Sequence, residues 1–327
     1  MYDQWEGPRY ILLGSSQLLL LEKVKESLAG RCTIIETFPL TLPELRTSSF
    51  SESVGVSLFQ ECLKTPGTPP AFLPSFLMDP LHTEKIQAWE HYLAFGGYPA
   101  LTRDGLSDDD RYLWLKNYVS TYLERDIRDL AAFRDLDPFI QLQRYIALNT
   151  GTLINAASIA AHVGVAPKTV QRYLRYFELS YQALLLPAWS KNETKRLSKS
   201  SKVHFLDHGV LQGVLGRKGG VSGQEFESLV VAEMYKQAKN SGIAARFSHF
   251  RTHDGGEVDL LIELSEGYLA FEIKQSLKVA YRDSGGLRTL QDFLDKPLLH
   301  SFVVSQDPEI RELAPGITAI HGSYFLG

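Results

Sequence analysis

The sequence contains little cysteine, no long apolar run and no large excess of charge. Its two cysteines, Cys32 and Cys62, form no disulfide or metal-ligand pattern and fit the reducing cytoplasm. The apolar cluster Leu18–Leu21 is far too short to span a bilayer, and no signal peptide is visible. A net charge of −4 means that any nucleic-acid surface has to be local. We therefore expect a cytoplasmic protein without a membrane partner.

A phosphate-binding loop is also absent. Loops of the type Gly-x-x-x-x-Gly-Lys-Ser/Thr hold nucleotide phosphates with backbone amides and a lysine. The sequence contains no Gly-Lys dipeptide. We therefore expect no ATP binding by this chain alone.

The elements that are present alternate between strands and helices, which predicts an α/β fold. The 327 residues predict two or three domains. A segment rich in Ser, Thr and Pro, Thr47–His82, is predicted to be a connector with one short helix at Val56–Lys64. The other elements predicted in the first half are strand Tyr10–Leu13, helix Gln17–Leu28, strand Cys32–Thr37, helix Glu84–Phe95 and helix Asp108–Phe133.

Residues Asn155–Glu178 have the pattern of a helix-turn-helix. Asn155 can cap a first helix, Gly164 supplies the turn, and Pro167 opens a second helix. The following runs, Leu184–Pro187 and Val203–Leu206, are predicted to form a wing hairpin.

Positive charge is concentrated on the second helix and on this hairpin. Residues 167–202 contain eight Lys or Arg and two Glu, an excess of six positive charges. Such an excess in an acidic chain is typical of phosphate contact, so we expect DNA binding. The alternative is a winged helix used only for protein contacts. The residues predicted to bind DNA are Lys168, Arg172, Arg175, Lys195 and Arg196.

A hairpin with a charged face is predicted near the C-terminus. Its strands, Val258–Leu264 and Tyr268–Ile273, are mostly apolar and are joined by turn-forming residues. Both strands are apolar enough for a sheet covered on both sides, where charges must be paired or bind a metal. A helix at Gly286–Leu294 and strands at Phe302–Ser305 and Ile317–Ile320 are predicted to complete this sheet.

The register of the hairpin brings two carboxylates together. If the loop has four residues, Glu263 pairs with Tyr268, Asp259 lies opposite Glu272, and Lys274 shares their face. Carboxylate oxygens are ligands that Mg²⁺ accepts, and a lysine can orient a water or stabilise charge on a phosphate. We predict a Mg²⁺ site at Asp259 and Glu272. The alternative is the solvated face of an edge hairpin with an ion pair.

A third carboxylate lies on the amphipathic helix predicted at Gln224–Asn240. Glu227 shares a face with the apolar residues Val230 and Met234 of this helix. An acid beside a buried stripe is either a rim residue or a site residue.

The order of these motifs resembles a known fold. Phe226-Glu227, Glu257-Val258-Asp259 and Phe271-Glu272-Ile273-Lys274 resemble the PD-(D/E)XK restriction-endonuclease-like fold. More closely, they resemble the C-terminal domain of unknown function 4143 of bacterial and archaeal AAA-family ATPases. The resemblance implies that Asp259 and Glu272 hold a metal, that Lys274 orients the attacking water, and that Glu227 supports this shell.

Other segments resemble the same family. They include Phe95-Gly96-Gly97-Tyr98-Pro99, Tyr122–Ile127 and Asp207-His208-Gly209. The run LLGSSQLLLLEKVKESLAGR resembles the last part of the family's ATPase module, which implies that Ser15 senses a γ-phosphate and that Arg31 is the arginine near the module's end. Since the phosphate loop of that module is missing, we expect the chain to begin after it. ATP would then bind only if the loop is supplied upstream or by another chain.

We predict an α/β multidomain protein in four parts. Residues 1–47 are a truncated P-loop ATPase remnant, 48–150 a connector with a helical segment, 151–210 a winged helix, and 211–327 a restriction-endonuclease-like α/β domain. The leading function is DNA binding coupled to Mg²⁺-dependent phosphodiester cleavage. The alternatives are a non-catalytic DNA- or protein-binding module and a protein that works with an ATPase partner or as a homo-oligomer.

Overall fold

The structure, a computed structural model, describes residues 35–49, 51–68, 70–122, 136–252 and 255–327, together with Ile11 and Thr33. The side chains of Lys195, Leu197 and Ser198 are outside this description. So are Ser15, Arg31 and the predicted helix Gln17–Leu28. Within the described ranges, no helix is both long and apolar enough to cross a membrane.

The described chain is a mixed α/β protein with two sheets, as predicted at the level of fold class. Its helices are α1 Leu42–Leu45, α2 Leu58–Lys64, α3 His82–Phe95, α4 Asp108–Tyr122, α5 Asp137–Leu148, α6 Ala156–Val163, α7 Pro167–Leu179, α8 Glu193–Ser198, α9 His208–Leu215, α10 Gly223–Asn240, α11 Gly285–Arg288 and α12 Gly322–Leu326. Its strands are β1 Thr152–Leu153, β2 Ala183–Leu186, β3 Lys202–Phe205, β4 Arg246–Arg251, β5 Glu257–Glu263, β6 Tyr268–Ile273, β7 Leu298–Ser305, β8 Arg311–Ala314 and β9 Ile317–His321.

The larger sheet has six strands in the order β4-β5-β6-β7-β9-β8. β4, β5 and β6 run antiparallel, β6, β7 and β9 run parallel, and β8 returns antiparallel to β9. The hairpin β5–β6 has the predicted register, with Glu263 opposite Tyr268. Leu260 lies opposite Phe271, so the next residues along each strand are Asp259 and Glu272.

Both faces of this sheet are covered, as expected from its apolar strands. One face packs against α10 and the helices α2, α3 and α12, and it buries Phe271 and Ile273. The opposite face buries Leu261 and Ala270 beneath α11 and its neighbouring turns. Charged side chains at the end of this sheet therefore lie in a largely apolar surrounding, where they need partners.

The smaller sheet has three antiparallel strands in the order β1-β3-β2 and shares a hydrophobic core with α5, α6, α7 and α9. The predicted cap is present, since Asn155 Oδ1 accepts hydrogen bonds from the amides of Ala157 and Ser158 at 3.1 Å. Gly164 takes the left-handed conformation that ends α6, with φ 72°, and Pro167 opens α7. The predicted cap, turn and helix start are thus all found.

Several local predictions were wrong. Residues 35–37 of the predicted strand Cys32–Thr37 lie in no strand. The helix predicted at Gly286–Leu294 is a short α11 between two 3₁₀ turns, Tyr281–Ser284 and Leu290–Phe293. Two successive glycines weaken a helix at this point. In contrast, the helix predicted at Asp108–Phe133 is present as α4 from Asp108 to Tyr122, and residues 123–133 lie outside the described part of the chain.

The segment predicted to be a connector is part of the core. Phe59 of α2 is fully buried, with its ring 6.1 Å from Phe271 and 5.8 Å from Phe325. Phe76 is buried against Tyr324 and His321. The Ser-, Thr- and Pro-rich composition of this stretch hid apolar anchors that cover one face of the larger sheet.

Two glycine-containing motifs form a clasp between α3 and α9. Asp207 caps α9 by accepting a hydrogen bond from the Val210 amide at 3.0 Å, and it also accepts one from the Gly97 amide at 2.8 Å. A Cβ atom at Gly209 would overlap the carbonyl oxygen of Phe95. The motifs around Gly97 and Asp207 therefore have a structural explanation, because each permits the close approach of the other.

Gly209→Ala should destabilise the protein because the added methyl has no space. We expect a loss of about 1–3 kcal/mol in the free energy of unfolding, typical of overpacking. Gly223→Ala is the matched control, since Gly223 also lies at a helix start but has no atom within 4 Å of the position that a Cβ would take. Urea denaturation of both variants checks this. Equal stabilities of the two variants would contradict the clasp.

A buried histidine caps the last helix. His321 Nδ1 accepts a hydrogen bond from the Ser323 amide at 3.1 Å, and its ring stacks on Phe76 at 4.8 Å. Burial, followed by the positive charge of His82, lowers the pKa of His321 to about 4. The folded protein therefore keeps this imidazole neutral, while the unfolded chain takes up a proton below a pKa of about 6.5.

His321→Asn should make stability less sensitive to acid. Because the pKa of His321 is lower in the folded state, unfolding is favoured as the pH falls from about 6.5 towards about 4. Asparagine keeps a capping oxygen but does not titrate. Between about pH 7 and about pH 5, we expect the variant to lose about 2 kcal/mol less than the parent. Urea denaturation at both pH values measures this, and identical losses would contradict it.

Candidate functional site

The predicted acids meet at the end of the larger sheet where β5 begins and β6 ends. Asp259 comes from β5, Glu272 from β6, and Glu227 from the first half of α10. Glu257, at the start of β5, joins them. All four are placed by elements whose apolar residues pack in the core, so the backbone holds the carboxylates close together.

A lysine from the smaller sheet lies among these acids. Lys202 Nζ is 2.9 Å from Glu227 Oε1, 2.6 Å from Glu257 Oε1 and 3.6 Å from Asp259 Oδ1. Its side chain is only 5% exposed. The ammonium group of β3 is thus the cation that three carboxylates share, and we call these four residues together with Glu272 and Lys274 the carboxylate cluster.

Lys274 pairs with the fourth carboxylate of the cluster, that of Glu272. Its Nζ donates to Glu272 Oε1 at 2.6 Å, and its side chain is 39% exposed. Asp259 is fixed by the backbone, because its Oδ2 accepts a hydrogen bond from the Ile273 amide at 2.8 Å. This bond aligns the start of β5 with the end of β6.

The carboxylate cluster has an excess of negative charge. Four carboxylates face two ammonium groups, which gives a formal charge of −2 when all six groups are ionised. Burial, and then the charge of Asp259, raises the pKa of Glu227 to about 8 and that of Glu272 to about 7. The lysine partners oppose these shifts only in part. Additional positive charge would therefore stabilise the ionised form of the cluster.

The donor chemistry of the carboxylate cluster fits a hard divalent cation, but the Lys202 ammonium group takes the position among three of its acids. Glu272 Oε2 is buried and accepts no hydrogen bond from the described residues. Carboxylate oxygens are suitable ligands for Mg²⁺ or Mn²⁺. Within the described part of the chain, however, no three acidic, histidine or cysteine side chains are arranged to hold a metal ion.

The structure brings Glu227, Asp259, Glu272 and Lys274 together, whereas sequence reasoning missed the role of Lys202. It also left Glu257 out of the predicted site. In β3, Lys202 lies in a short strand whose four residues are all buried. A lysine in such a strand is a signal for a buried partner. The partners themselves, of which Glu227 lies 25 residues further along, could not be read from local sequence.

Of the five predicted DNA-binding residues, three lie on α7 and two lie on α8. Lys168, Arg172 and Arg175 all lie on the exposed side of α7, opposite the buried Val170 and Phe177. Their spacing puts them on one face of the helix. Arg175 also pairs with Glu178 at 3.3 Å, a contact at the surface.

Arg196, which is predicted to bind DNA, faces the larger sheet in the structure. Its guanidinium pairs with Glu263 Oε2 at 3.1 Å and lies over the Trp189 ring, and its side chain is only 18% exposed. The segment between the two strands of the predicted wing contains the short helix α8, and Arg196 of this helix faces the larger sheet. The side chain of Lys195 lies outside the described residues. Lys202, another cation of this basic stretch, is buried in the carboxylate cluster.

Comparison with known families divides the chain in two. Residues 86–220 match a family described as Domain of unknown function (DUF8612). Residues 222–324 match Domain of unknown function (DUF4143), and this confirms that part of the resemblance predicted from the motifs. The second match contains every carboxylate of the cluster, whereas Lys202 lies in the first.

The chain is also similar to uncharacterized proteins of three bacteria. Proteins of Mycobacterium bovis and Mycobacterium tuberculosis are each 25% identical over 275 residues, which cover 82% of this chain and 52% of each relative. A protein of Haemophilus influenzae is 19% identical over 295 residues, covering 88% of this chain and 64% of the relative. The chain thus spans about half the length of its mycobacterial relatives. No solved structure matches it significantly.

Proposed function

We propose that the protein binds DNA through α7 and cleaves phosphodiester bonds at the carboxylate cluster in a metal-dependent reaction. The observation that carries this proposal is the convergence of Asp259, Glu272, Lys274 and Glu227 from three separate elements. In this interpretation the smaller sheet with α6 and α7 is a winged helix, and the larger sheet with α10 is a PD-(D/E)XK-like unit.

The basic face of α7 supports contact with nucleic acid. Its three cations, Lys168, Arg172 and Arg175, are exposed on a helix that follows a tight turn, and the apolar side of this helix is buried. In helix-turn-helix proteins the second helix enters the major groove of DNA. Lysine and arginine on such a helix neutralise phosphates or contact base edges.

The carboxylate cluster supports the cleavage step. Asp259 and Glu272 would hold the metal, with Glu227 and Glu257 beside them. A bound Mg²⁺ or Mn²⁺ supplies Lewis-acid polarisation of a phosphate oxygen and lowers the pKa of a coordinated water. Lys274 is held at the cluster by Glu272 and is partly exposed, so its ammonium group can reach and stabilise negative charge on a phosphate.

A second candidate is a non-catalytic binding module, and the position of Lys202 favours it. An ammonium group that pairs with three carboxylates joins the two sheets without a metal. Such a module fits the AAA-family context suggested by the sequence, in which an ATPase part upstream or on a partner would provide nucleotide chemistry. A fold of this kind does not by itself require turnover.

Lys168→Ala combined with Arg172→Ala should weaken DNA binding to many sequences alike. Removal of two phosphate contacts should lower the slope of log affinity against log salt by about 2. Fluorescence anisotropy with labelled duplexes at several salt concentrations measures both effects.

Arg196→Ala is the matched control for that experiment, because it removes a positive charge that faces Glu263 rather than solvent. Its DNA affinity and salt slope should stay close to those of the parent. Salt-independent binding by the parent, or equal weakening by the control, would reject α7 as the DNA-contacting element.

Asp259→Asn and Glu272→Gln should each abolish metal-dependent cleavage while DNA affinity stays within a few-fold of the parent. Lys274→Ala should lose cleavage but keep metal-dependent stabilisation, because its ammonium group is not a ligand. Cleavage of linear duplex and single-stranded DNA in Mn²⁺ or Mg²⁺ measures the loss of activity. Thermal melting with and without these ions measures the metal-dependent stabilisation. Glu263→Gln is the control, since Glu263 lies on β5 but pairs with Arg196 and Lys296 away from the cluster. Cleavage that persists in Asp259→Asn would place the activity elsewhere.

A further inference from the structure

We propose that the Lys202 ammonium group occupies the carboxylate cluster in the metal-free protein. A divalent ion binds to the cluster only after this ammonium group has moved away. This inference rests on the proposed function and assigns a form of regulation to the same site. Neither the two matching families, both of unknown function, nor the uncharacterized relatives assign a role to this lysine.

The contacts of Lys202 resemble those that a bound ion would make. Its Nζ lies within 2.6–3.6 Å of oxygens from Glu227, Glu257 and Asp259, which come from α10 and β5. An ammonium group is a compact point charge, so Lys202 pairs with three carboxylates at once, within hydrogen-bond distance of Glu227 and Glu257 and at 3.6 Å from Asp259. Lys274 differs, because it forms its ion pair with a single carboxylate, that of Glu272, and is partly exposed.

A divalent ion held by Asp259 and Glu272 would share the Asp259 carboxylate with Lys202 and would lie beside Glu227 and Glu257, the two other acids that Lys202 contacts. Oxygens that accept hydrogen bonds from an ammonium group offer fewer lone pairs to a metal, and two cations so close together repel each other. Loss of the ammonium group would leave several buried carboxylates without compensation, which is strongly unfavourable unless another cation replaces it. The state in which Lys202 occupies the cluster is therefore stable without metal. Lys202 leaves the cluster only when another cation replaces it.

Lys202 comes from a different sheet from the acids. Lys202 begins β3 of the smaller sheet, which is joined to the larger sheet by hydrogen bonds between the backbones of Trp189 and His249 and of His249 and Pro187. The Trp189 indole also donates to the Tyr268 hydroxyl at 3.1 Å. Occupation of the cluster by Lys202 thus depends on how the two sheets are held together.

The test is a titration of Mn²⁺ and Mg²⁺ against parent and Lys202→Met protein, followed by thermal melting and by isothermal calorimetry. Methionine keeps the length and apolar stem of the side chain but removes its charge. We expect Lys202→Met to melt lower than the parent without metal and to regain stability as Mn²⁺ saturates. The apparent affinity of the parent should be at least about tenfold weaker, because its competent state is rarely populated.

Two controls make the result specific. Lys85→Met removes another buried lysine, which has an ion pair with a single carboxylate, Asp79, at 3.0 Å; Mn²⁺ should not restore its stability. Lys202→Met combined with Asp259→Asn should lose the Mn²⁺ response. If Lys202→Met does not fold in either condition, Lys202→Met combined with Glu227→Gln removes one charge of each sign and is titrated in its place.

The outcomes separate this inference from the proposed function. Equal Mn²⁺ affinity of parent and Lys202→Met would overturn the role of Lys202 but leave the metal-dependent cleavage site standing. No Mn²⁺ response from folded Lys202→Met, or from the charge-balanced double variant, would overturn the inference and the cleavage proposal together. The proposal that α7 binds DNA is tested independently by the variants of Lys168 and Arg172.

Discussion

The contact between the Lys202 ammonium group and three carboxylates is the interaction on which the site depends. These groups lie at the end of a sheet that is apolar on both faces, so ions there need partners. Burial, and then the charge of Asp259, raise the pKa of Glu227, and a nearby cation opposes this shift. Lys202 supplies this cation from the smaller sheet, so the carboxylate cluster also joins the smaller sheet to the larger one.

The motifs that resemble the family divide into structural and chemical groups. The glycine-containing motifs around Gly97 and Asp207 permit a close backbone approach and a helix cap. The acidic motifs on β5 and β6 place charge where the sheet core ends. Both groups would be retained in a binding module, but only the acidic group would be needed for cleavage. Stability measurements report on the glycine-containing motifs, and cleavage assays on the same variants report on the acidic motifs.

Sequence reasoning was accurate where local interactions decide the structure. The hairpin register follows from a short loop between two apolar strands, and the capping residue Asn155, the turn at Gly164 and the helix start at Pro167 act within a few residues of themselves. The predicted carboxylates converge because alternation along β5 and β6 fixes their face. These features need no knowledge of distant partners.

Sequence reasoning failed where the partner is distant. The positive excess between residues 167 and 202 includes Lys202, and it led to the prediction that Arg196 binds DNA. Their acidic partners lie 25 and 67 residues further along, at Glu227 and Glu263, and meet them only after the two sheets pack. Similarly, Phe59 is a core residue of a segment whose composition indicated a connector. Tertiary packing, not local preference, decides these cases.

The most direct test of the role of Lys202 is a pair of crystal structures, of the parent and of Lys202→Met, each grown with Mn²⁺ and measured for anomalous scattering from manganese. We predict no anomalous peak at the carboxylate cluster of the parent while Lys202 contacts Glu227 and Glu257. We predict a peak between Asp259 and Glu272 in Lys202→Met. A manganese peak in the parent with Lys202 still in place, or an empty cluster in the folded variant, would contradict this role.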